Sequence, residues 1–405
     1  MRIIYLHQYF ITPDMAGGSR SYEMARRLVA AGHEVHMVTS SQDGPAGAEW
    51  TETVEAGIRV HWTPVPYNNQ MGYRDRVLAF FRFAWRAARK AAALGGDVIF
   101  ATSTPLTIAI PAVYAARRSR IPMVFEVRDL WPRVPIAIGA LRNPLLKWAA
   151  RRLEKFAYDN AARVVALAPG MRDEIVSSGY PADRTVVIPN GCDLDVFAEP
   201  GSATDPRGEF EWLGDRPLVV FTGTFGLVNG TAYLARLAAS VSRIDPEIRF
   251  VAIGEGREFA STMELARELR VLDKCFFMLG KLPKHDVAAW VRAADMTIAL
   301  FTGPEIVWRD AVQNKFFDSL AAGTPVANNF RGWQAIVAEE AGAGIILSAD
   351  DIDAAAADIV SRLRDREWLA KAAAAARNLG VERFNRDDLA RALDQLLREV
   401  VEQAQ

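Results

Sequence analysis

Cysteine is almost missing from this chain. Cys192 and Cys275 are the two in 405 residues, far apart and without motif spacing. That excludes a disulfide-stapled scaffold and fits a reducing cytoplasm. The five histidines, His7, His33, His36, His61 and His285, show no ligand spacing, so no metal site is expected. No apolar run approaches the ~18 residues that a membrane-spanning helix needs. The opening MRIIYLHQYF breaks at His7 and Gln8, so no signal peptide is expected either. No Ser-His-Asp set or nucleophile elbow appears. GEGREF (Gly254–Phe259) lacks the third glycine of a dinucleotide fingerprint, which leaves nicotinamide cofactors poorly supported.

What is present is ordinary for a soluble enzyme, 50% hydrophobic and 24% charged. The net charge of −1 hides an asymmetry: 24 Lys+Arg against 16 Asp+Glu through Asn190, then 24 against 33. A basic first half beside an acidic second half predicts that one domain faces an anionic partner. The acidic half and the absence of RNA-binding motifs argue against nucleic acid.

Short β-branched runs bounded by turn residues predict buried strands: RIIYLH, EVHMVTS, DVIFATS, PMVFEVRD and ARVVALAP. Between them, SYEMARRLVAAG and NPLLKWAARRLEKFAYDNA carry helical spacing, the first stopping at Gly32. AEPGSATDPRGEFEWLGDRP (Ala198–Pro217) reads as a boundary. A second set follows: PLVVFTG, RFVAIGEG, CFFMLG, MTIALF and TPVANN. Strand-helix alternation predicts an α/β fold of two doubly wound, Rossmann-like domains facing each other across a cleft. The expected division is 1–197, a linker at 198–216, a second domain at 217–385, and a C-terminal helix at 386–405 able to pack back toward the first domain.

Three stretches carry the functional argument. Pro189-Asn190-Gly191-x-Asp193 followed by Phe197 is by itself a turn. Gly223-Thr224-Phe225-Gly226 after a strand is either a tight turn or a place where backbone meets phosphate. RDAVQNKFFDSLAAGTPVANNFRGW (Arg309–Trp333) sets Asp310 and Asp318 eight apart around Asn314-Lys315. Together they resemble the retaining GT-B glycosyltransferases called family 4. NKFFDSLAAGTPVANNFRGW and FEVRDLWP look most like the members that build bacterial surface polysaccharides such as O-antigen, capsule and exopolysaccharide.

The resemblance spans nearly the whole chain. It implies a nucleotide-sugar donor in the second domain, an acceptor in the first, no metal ion and no cofactor, and a product that keeps the donor's anomeric configuration. It puts Asp318 on the ribose hydroxyls, which suits a carboxylate accepting from a diol, and Asp310 on the transferred sugar, where the family usually has Glu. Asn314 and Lys315 open a helix, where N–H groups and an ammonium can take the pyrophosphate. Gly17, Gly18, Asn190, Gly223 and Thr224 complete the donor side. In LGKLPKHD, Lys281 and Leu282 sit on the turn that holds the base. Relatives often carry Arg and Lys in the first loop of the second domain. GTFGLVNG has neither, so Lys315, then Arg309 or Arg128, is the candidate to neutralise the leaving diphosphate, the alternative being a weakened or inactive enzyme. Arg128-Asp129 stand where relatives have His-Asp. Asp129 either orients the acceptor hydroxyl or takes its proton, and Arg128 stabilises phosphate, unless both pair structurally with each other and with other loops. Arg20 is placed beside the acceptor.

GYRDRVLAFFRFAWRAARK (Gly72–Lys90) interleaves basic and aromatic residues. Arg82, Trp85 and Arg86 would meet a lipid surface if this helix lies at a membrane; otherwise it packs on the sheet with a solvated basic face. The reading is a cytoplasmic, metal-independent retaining transferase, peripheral to the inner face of the plasma membrane if that helix docks. It moves a hexose, or an N-acetylated or deoxy hexose, from a UDP-sugar to a lipid-linked saccharide acceptor. Its rivals are a nucleotide-sugar epimerase or phosphorylase on the same fold, and a non-catalytic nucleotide-sugar-binding partner.

Overall fold

Short β-branched runs settle as strands where both faces can be covered. The computed structural model of the chain, which describes residues 1–13, 15, 19–41, 49–66, 71–198 and 205–405, contains two sheets of this kind. Gly17 and Gly18, expected at the donor, lie outside the described residues. The chain forms two compact units, Met1–Pro189 with Asp387–Gln405, and Asn190–Arg386.

The first unit holds β1 (Arg2–Leu6), β2 (Glu34–Ser41), β3 (Thr51–Glu55), β4 (Ile58–Pro64), β5 (Val98–Thr102), β6 (Met123–Val127), β7 (Arg163–Ala166) and β8 (Thr185–Val187). They form one sheet in the order β3-β4-β2-β1-β5-β6-β7-β8, parallel apart from the β3–β4 hairpin. β5 and β6 are buried at every position, as central parallel strands are. In register, Ile3 of β1 faces Val35 of β2 on one side and Val98 of β5 on the other. The direction of winding reverses between β1 and β5, so ligands are expected beyond the carboxyl ends of these two strands. The helix Arg20–Ala30 ends before Gly32, whose φ of 87° suits a residue without Cβ. The last helix, Arg386–Glu402, lays Ala390, Leu393, Leu397 and Val400 against the core of Ile3, Val35, Met24 and Leu28. Those four positions share one helical stripe. His33 binds Asp394 at 2.6 Å on the same face.

The second unit holds β9 (Leu218–Thr222), β10 (Arg249–Ile253), β11 (Phe276–Leu279), β12 (Met296–Ala299), β13 (Val326–Asn328) and β14 (Gly344–Ile346). Their order is β11-β10-β9-β12-β13-β14, parallel throughout. Here the winding reverses between β9 and β12. Phe221, Phe225, Leu234, Phe250 and Ile298 pack one face of this sheet, while Trp212, Phe277 and Trp290 stack on the other. Both units are Rossmann-like α/β domains with parallel sheets.

Where the chain enters and leaves the second unit, two strands of backbone are clamped together. The Cys192 N–H donates to the Phe384 carbonyl at 2.7 Å, and Arg386 donates to both Asp193 and the Gly191 carbonyl. This clamp is the structural work of the Asn-Gly-x-Asp turn.

Candidate active site

The second unit concentrates its chemistry at the reversal point. β9 ends into Gly223, and β10 into Gly254 and Gly256. A Cβ on Gly254, at φ 146°, would lie 1.9 Å from the Gly223 carbonyl oxygen. The two loops therefore touch backbone to backbone, which only glycine permits there. Gly223 itself makes room for another group, because a Cβ on it would lie 3.1 Å from the Lys315 Nζ.

Lys315 belongs to the first turn of the helix Asn314–Ala322. That helix start is fixed from two sides. The Gln313 N–H donates to the Gln334 side chain at 3.0 Å. The Asn190 amide donates to the Val312 carbonyl at 3.1 Å and to Asn314 Oδ1 at 3.0 Å. Asn190 thus holds Asn314 in place. The Lys315 ammonium lies 3.9 Å from the centre of the Phe221 ring, buried and without a hydrogen-bond partner among the described residues. Burial drops its pKa from 10.5 to about 7, since a charge pays heavily to leave water.

Asp318 follows one turn later. Burial raises its pKa to about 6; neighbouring Asp193 adds to this, while Lys284 and Arg386 pull the other way. Asp193 is the opposite case. Burial works to raise it, but Arg386 and then Lys284, whose Nζ is 2.8 Å away, hold it below the usual carboxylate range. Asp193 is spoken for; Asp318 takes no hydrogen bond from the described residues.

The remaining predicted donor residues are more dispersed. Thr224 is exposed, its carbonyl accepting from the Asn229 amide at 2.7 Å. Asp310 is buried and takes the Arg309 Nε at 2.8 Å, so both halves of that pair are engaged. Lys281 is exposed, with its Nζ 3.5 Å from Glu255, while Leu282 packs against the Trp212–Trp290 side of the core. Arg309 is thereby turned onto its own neighbour, whereas Lys315 has no carboxylate on it among the described residues.

In the first unit, Arg128 and Asp129 follow β6. The Arg128 N–H donates to Ser103 Oγ at 3.0 Å, and its guanidinium lies 3.4 Å from His7 Nε2. His7 is buried, and burial followed by the Arg128 charge holds its pKa well below 6.5. It is a neutral imidazole accepting from Arg128. Asp129 is exposed and accepts from the Thr104 hydroxyl at 2.9 Å. These groups gather beyond the ends of β1, β5 and β6.

Arg20 departs from expectation. It is 0% exposed and cannot reach an acceptor or a membrane. Its Nε and Nη2 bind Glu126 at 3.0 and 2.7 Å, and the guanidinium also donates to the Ile188 and Pro189 carbonyls. Glu126 accepts from Thr102 as well, at 2.6 Å. Burial pushes Glu126 up, yet Arg20 outweighs it and keeps the carboxyl ionised. Glu126, placed in the middle of a buried strand, is the signal for this pair: a carboxylate there requires a cation.

The helix Tyr73–Leu94 is sorted differently from the expected basic and aromatic faces. Phe83, Ala84, Ala87 and Ala91 face the core. Leu78, Phe81 and Trp85, one stripe at helical spacing, are 51%, 51% and 63% exposed, with Arg82 beside them. Arg89 stacks over Trp85 at 4.6 Å. Arg86 is turned inward, donating to the Thr63 hydroxyl and lying 5.8 Å from the Trp50 ring centre. Among the described residues no helix is long and apolar enough to cross a membrane.

Comparison with known proteins agrees with this geometry. Residues 17–191 match the family described as glycosyl transferase 4-like domain, and residues 216–365 the family described as glycosyl transferases group 1. The chain is 28% identical to a D-inositol 3-phosphate glycosyltransferase of Xylanimonas cellulosilytica, over 93% of this chain and 90% of that one. It is 24% identical to a GDP-mannose-dependent alpha-(1-6)-phosphatidylinositol monomannoside mannosyltransferase of Mycolicibacterium smegmatis, covering 71% and 72%. Among solved structures, a sucrose-phosphate synthase from Thermosynechococcus elongatus superposes with a TM-score of 0.78 at 17% identity, over 99% of both chains. HepE of Anabaena, in complex with UDP and glucose, gives 0.73 at 17% identity over 98% and 100%.

Proposed function

From the premise that this chain is a family 4-like glycosyltransferase of the GT-B fold, we propose that it is a metal-independent, retaining enzyme. It transfers a hexose, or an N-acetylated or deoxy hexose, from a UDP-sugar to a lipid-linked saccharide in cell-surface polysaccharide synthesis.

One observation carries this reading: the Lys315 ammonium, buried, unpaired and set against a glycine loop at the reversal point of the second sheet. An ammonium left there without a carboxylate is stabilised by an anion brought in as ligand. Breaking the sugar–phosphate bond puts negative charge on the departing diphosphate, and a preorganised cation stabilises that charge more than it stabilises the ground state. Lys315 supplies the cation that the first loop lacks, and the start of the Asn314–Ala322 helix adds N–H groups. Asp318, free of hydrogen bonds from the described residues, accepts from the ribose hydroxyls. Asp310 stands toward the transferred sugar with its charge balanced by Arg309. Asp129 orients the acceptor hydroxyl, and Arg128, braced on neutral His7, meets phosphate. In this reading departure and attack share one face of the sugar, with stabilisation of the leaving diphosphate carrying the reaction.

A second acceptor class has its own support. The similar D-inositol 3-phosphate glycosyltransferases act, by their names, on an inositol phosphate. The lipid-linked reading is favoured by the exposed Leu78–Phe81–Trp85 stripe with Arg82, which suits an anionic bilayer surface. Nucleoside diphosphate release should be measured from a panel of UDP- and GDP-sugars in excess chelator, with a lipid-linked saccharide extract, with inositol 3-phosphate, or with neither. Release from a UDP-sugar only with the lipid extract is the expected result. Release only with inositol 3-phosphate moves the acceptor, and turnover that needs added divalent metal overturns the metal-free reading. The anomeric coupling of the product, read by NMR, tests retention.

A further inference from the structure

The helix Pro144–Asp159 in the first unit borders a cavity of about 490 Å³ that shares no residue with either cluster described above. That volume is in the range of small-molecule sites. Arg151 and Lys155 stand one turn apart on its wall, and Glu154 and Tyr158 one turn apart beside them. Glu154 is 9% exposed, and the Tyr158 hydroxyl donates to it at 3.4 Å. Arg133, also lining the cavity, is engaged by Glu174 from the neighbouring helix, and Lys155 by Asp159 at 3.0 Å. Arg151 is exposed, forms no close ion pair with a described residue, and acts on Glu154 only through its charge.

The chemistry of this wall narrows the ligand. A bare phosphate would meet the sunken Glu154 carboxyl. A cationic ligand would meet Arg133, Arg151 and Lys155. A neutral sugar would use the carboxylates, which accept from vicinal hydroxyls, but would make no use of the Arg151 guanidinium at the rim. A sugar that also bears a carboxylate uses both signs of charge: its hydroxyls donate to Glu154 and Asp159, and its acid takes the Arg151 fork. We propose that this cavity is a binding site for a hexuronate unit, a second hold on an acidic saccharide apart from the transfer site.

This goes beyond the proposed reaction and is tested without it. The full-length protein at pH 7 is titrated with sodium glucuronate, glucose and inorganic phosphate by calorimetry and ligand-observed NMR. The expected result is millimolar glucuronate binding, at least about tenfold weaker binding of glucose, and no displacement of glucuronate by phosphate. Arg151→Ala and Glu154→Gln should each weaken glucuronate at least about tenfold, while donor turnover stays as in the parent protein. Absence of glucuronate binding, displacement by phosphate, or binding unchanged in both variants overturns the proposal. The binding outcomes do not depend on which donor or acceptor the transferase uses.

Discussion

A buried ammonium that titrates near neutrality makes donor binding a proton-linked event. In the empty protein the Lys315 pKa falls from 10.5 to about 7 through burial, a penalty on the charged form of ~5 kcal/mol. A diphosphate beside the Nζ replaces the lost hydration and returns the pKa toward its ordinary value. At pH 8 only ~10% of the empty sites carry the proton, and nearly all of the occupied ones do, so binding should take up ~0.9 proton per site. Affinity should fall ~100-fold between pH 6 and pH 9, as protonating the site draws on an ever scarcer proton.

The assay is titration calorimetry with uridine diphosphate at pH 8, in buffers of differing ionisation enthalpy. The diphosphate's own last ionisation, at ~6 by analogy with phosphate monoesters, is complete there and does not enter. Lys315→Met should abolish the uptake and flatten the affinity profile above pH 7. The unfolded chain binds more protons than the empty native protein between pH 7 and 10.5, so stability without ligand should rise with pH across that window, opposite in sign to affinity. Proton uptake near zero at pH 8, or a dissociation constant level from pH 7 to pH 9, would refute the assignment of Lys315 to the diphosphate.

Three further outcomes follow from the same geometry. Asp318→Asn keeps the shape of the helix and removes a carboxylate whose pKa is held at about 6 by burial. Steady-state kinetics should show KM for the nucleotide sugar rising ~10–100-fold, the worth of a charge-assisted hydrogen bond, with the melting temperature unchanged or higher. Arg20→Leu leaves Glu126 buried and unpaired and should cost ~3–5 kcal/mol in urea unfolding. Adding Glu126→Leu should restore most of it, and a single variant as stable as the parent would show that the pair bears no weight. Vesicles rich in anionic lipid should carry the protein upward in a flotation gradient, and Phe81→Ser with Trp85→Ser should lower the membrane partition coefficient at least ~100-fold, since each exposed aromatic offers ~1.5–3 kcal/mol on burial.

The core strands are legible in the sequence because their signal is local: apolar, β-branched runs between turn residues, each found at its expected place in the two sheets. The β3–β4 hairpin is not, since TETVE is polar and exposed and its strand state comes from pairing with β4. The site divides along the same line. Arg20 after two glycines has the local look of a ligand-binding arginine, but its role is fixed by Glu126, a hundred positions on and buried in β6. Asn190 and Asp193 likewise read as a turn and act as a brace and a clamp, through Val312, Asn314, Lys284 and Arg386. Lys315 stands out in the sequence as a candidate anion ligand from the helix it opens. Its isolation among the described residues is not, because that depends on every element packed around it. Sequence names the buried ions of such a protein, whereas the fold decides which are already paired. A buried ion with its partner in place is part of the architecture; one left unpaired over an aromatic ring and a glycine loop is where a charged substrate has reason to bind.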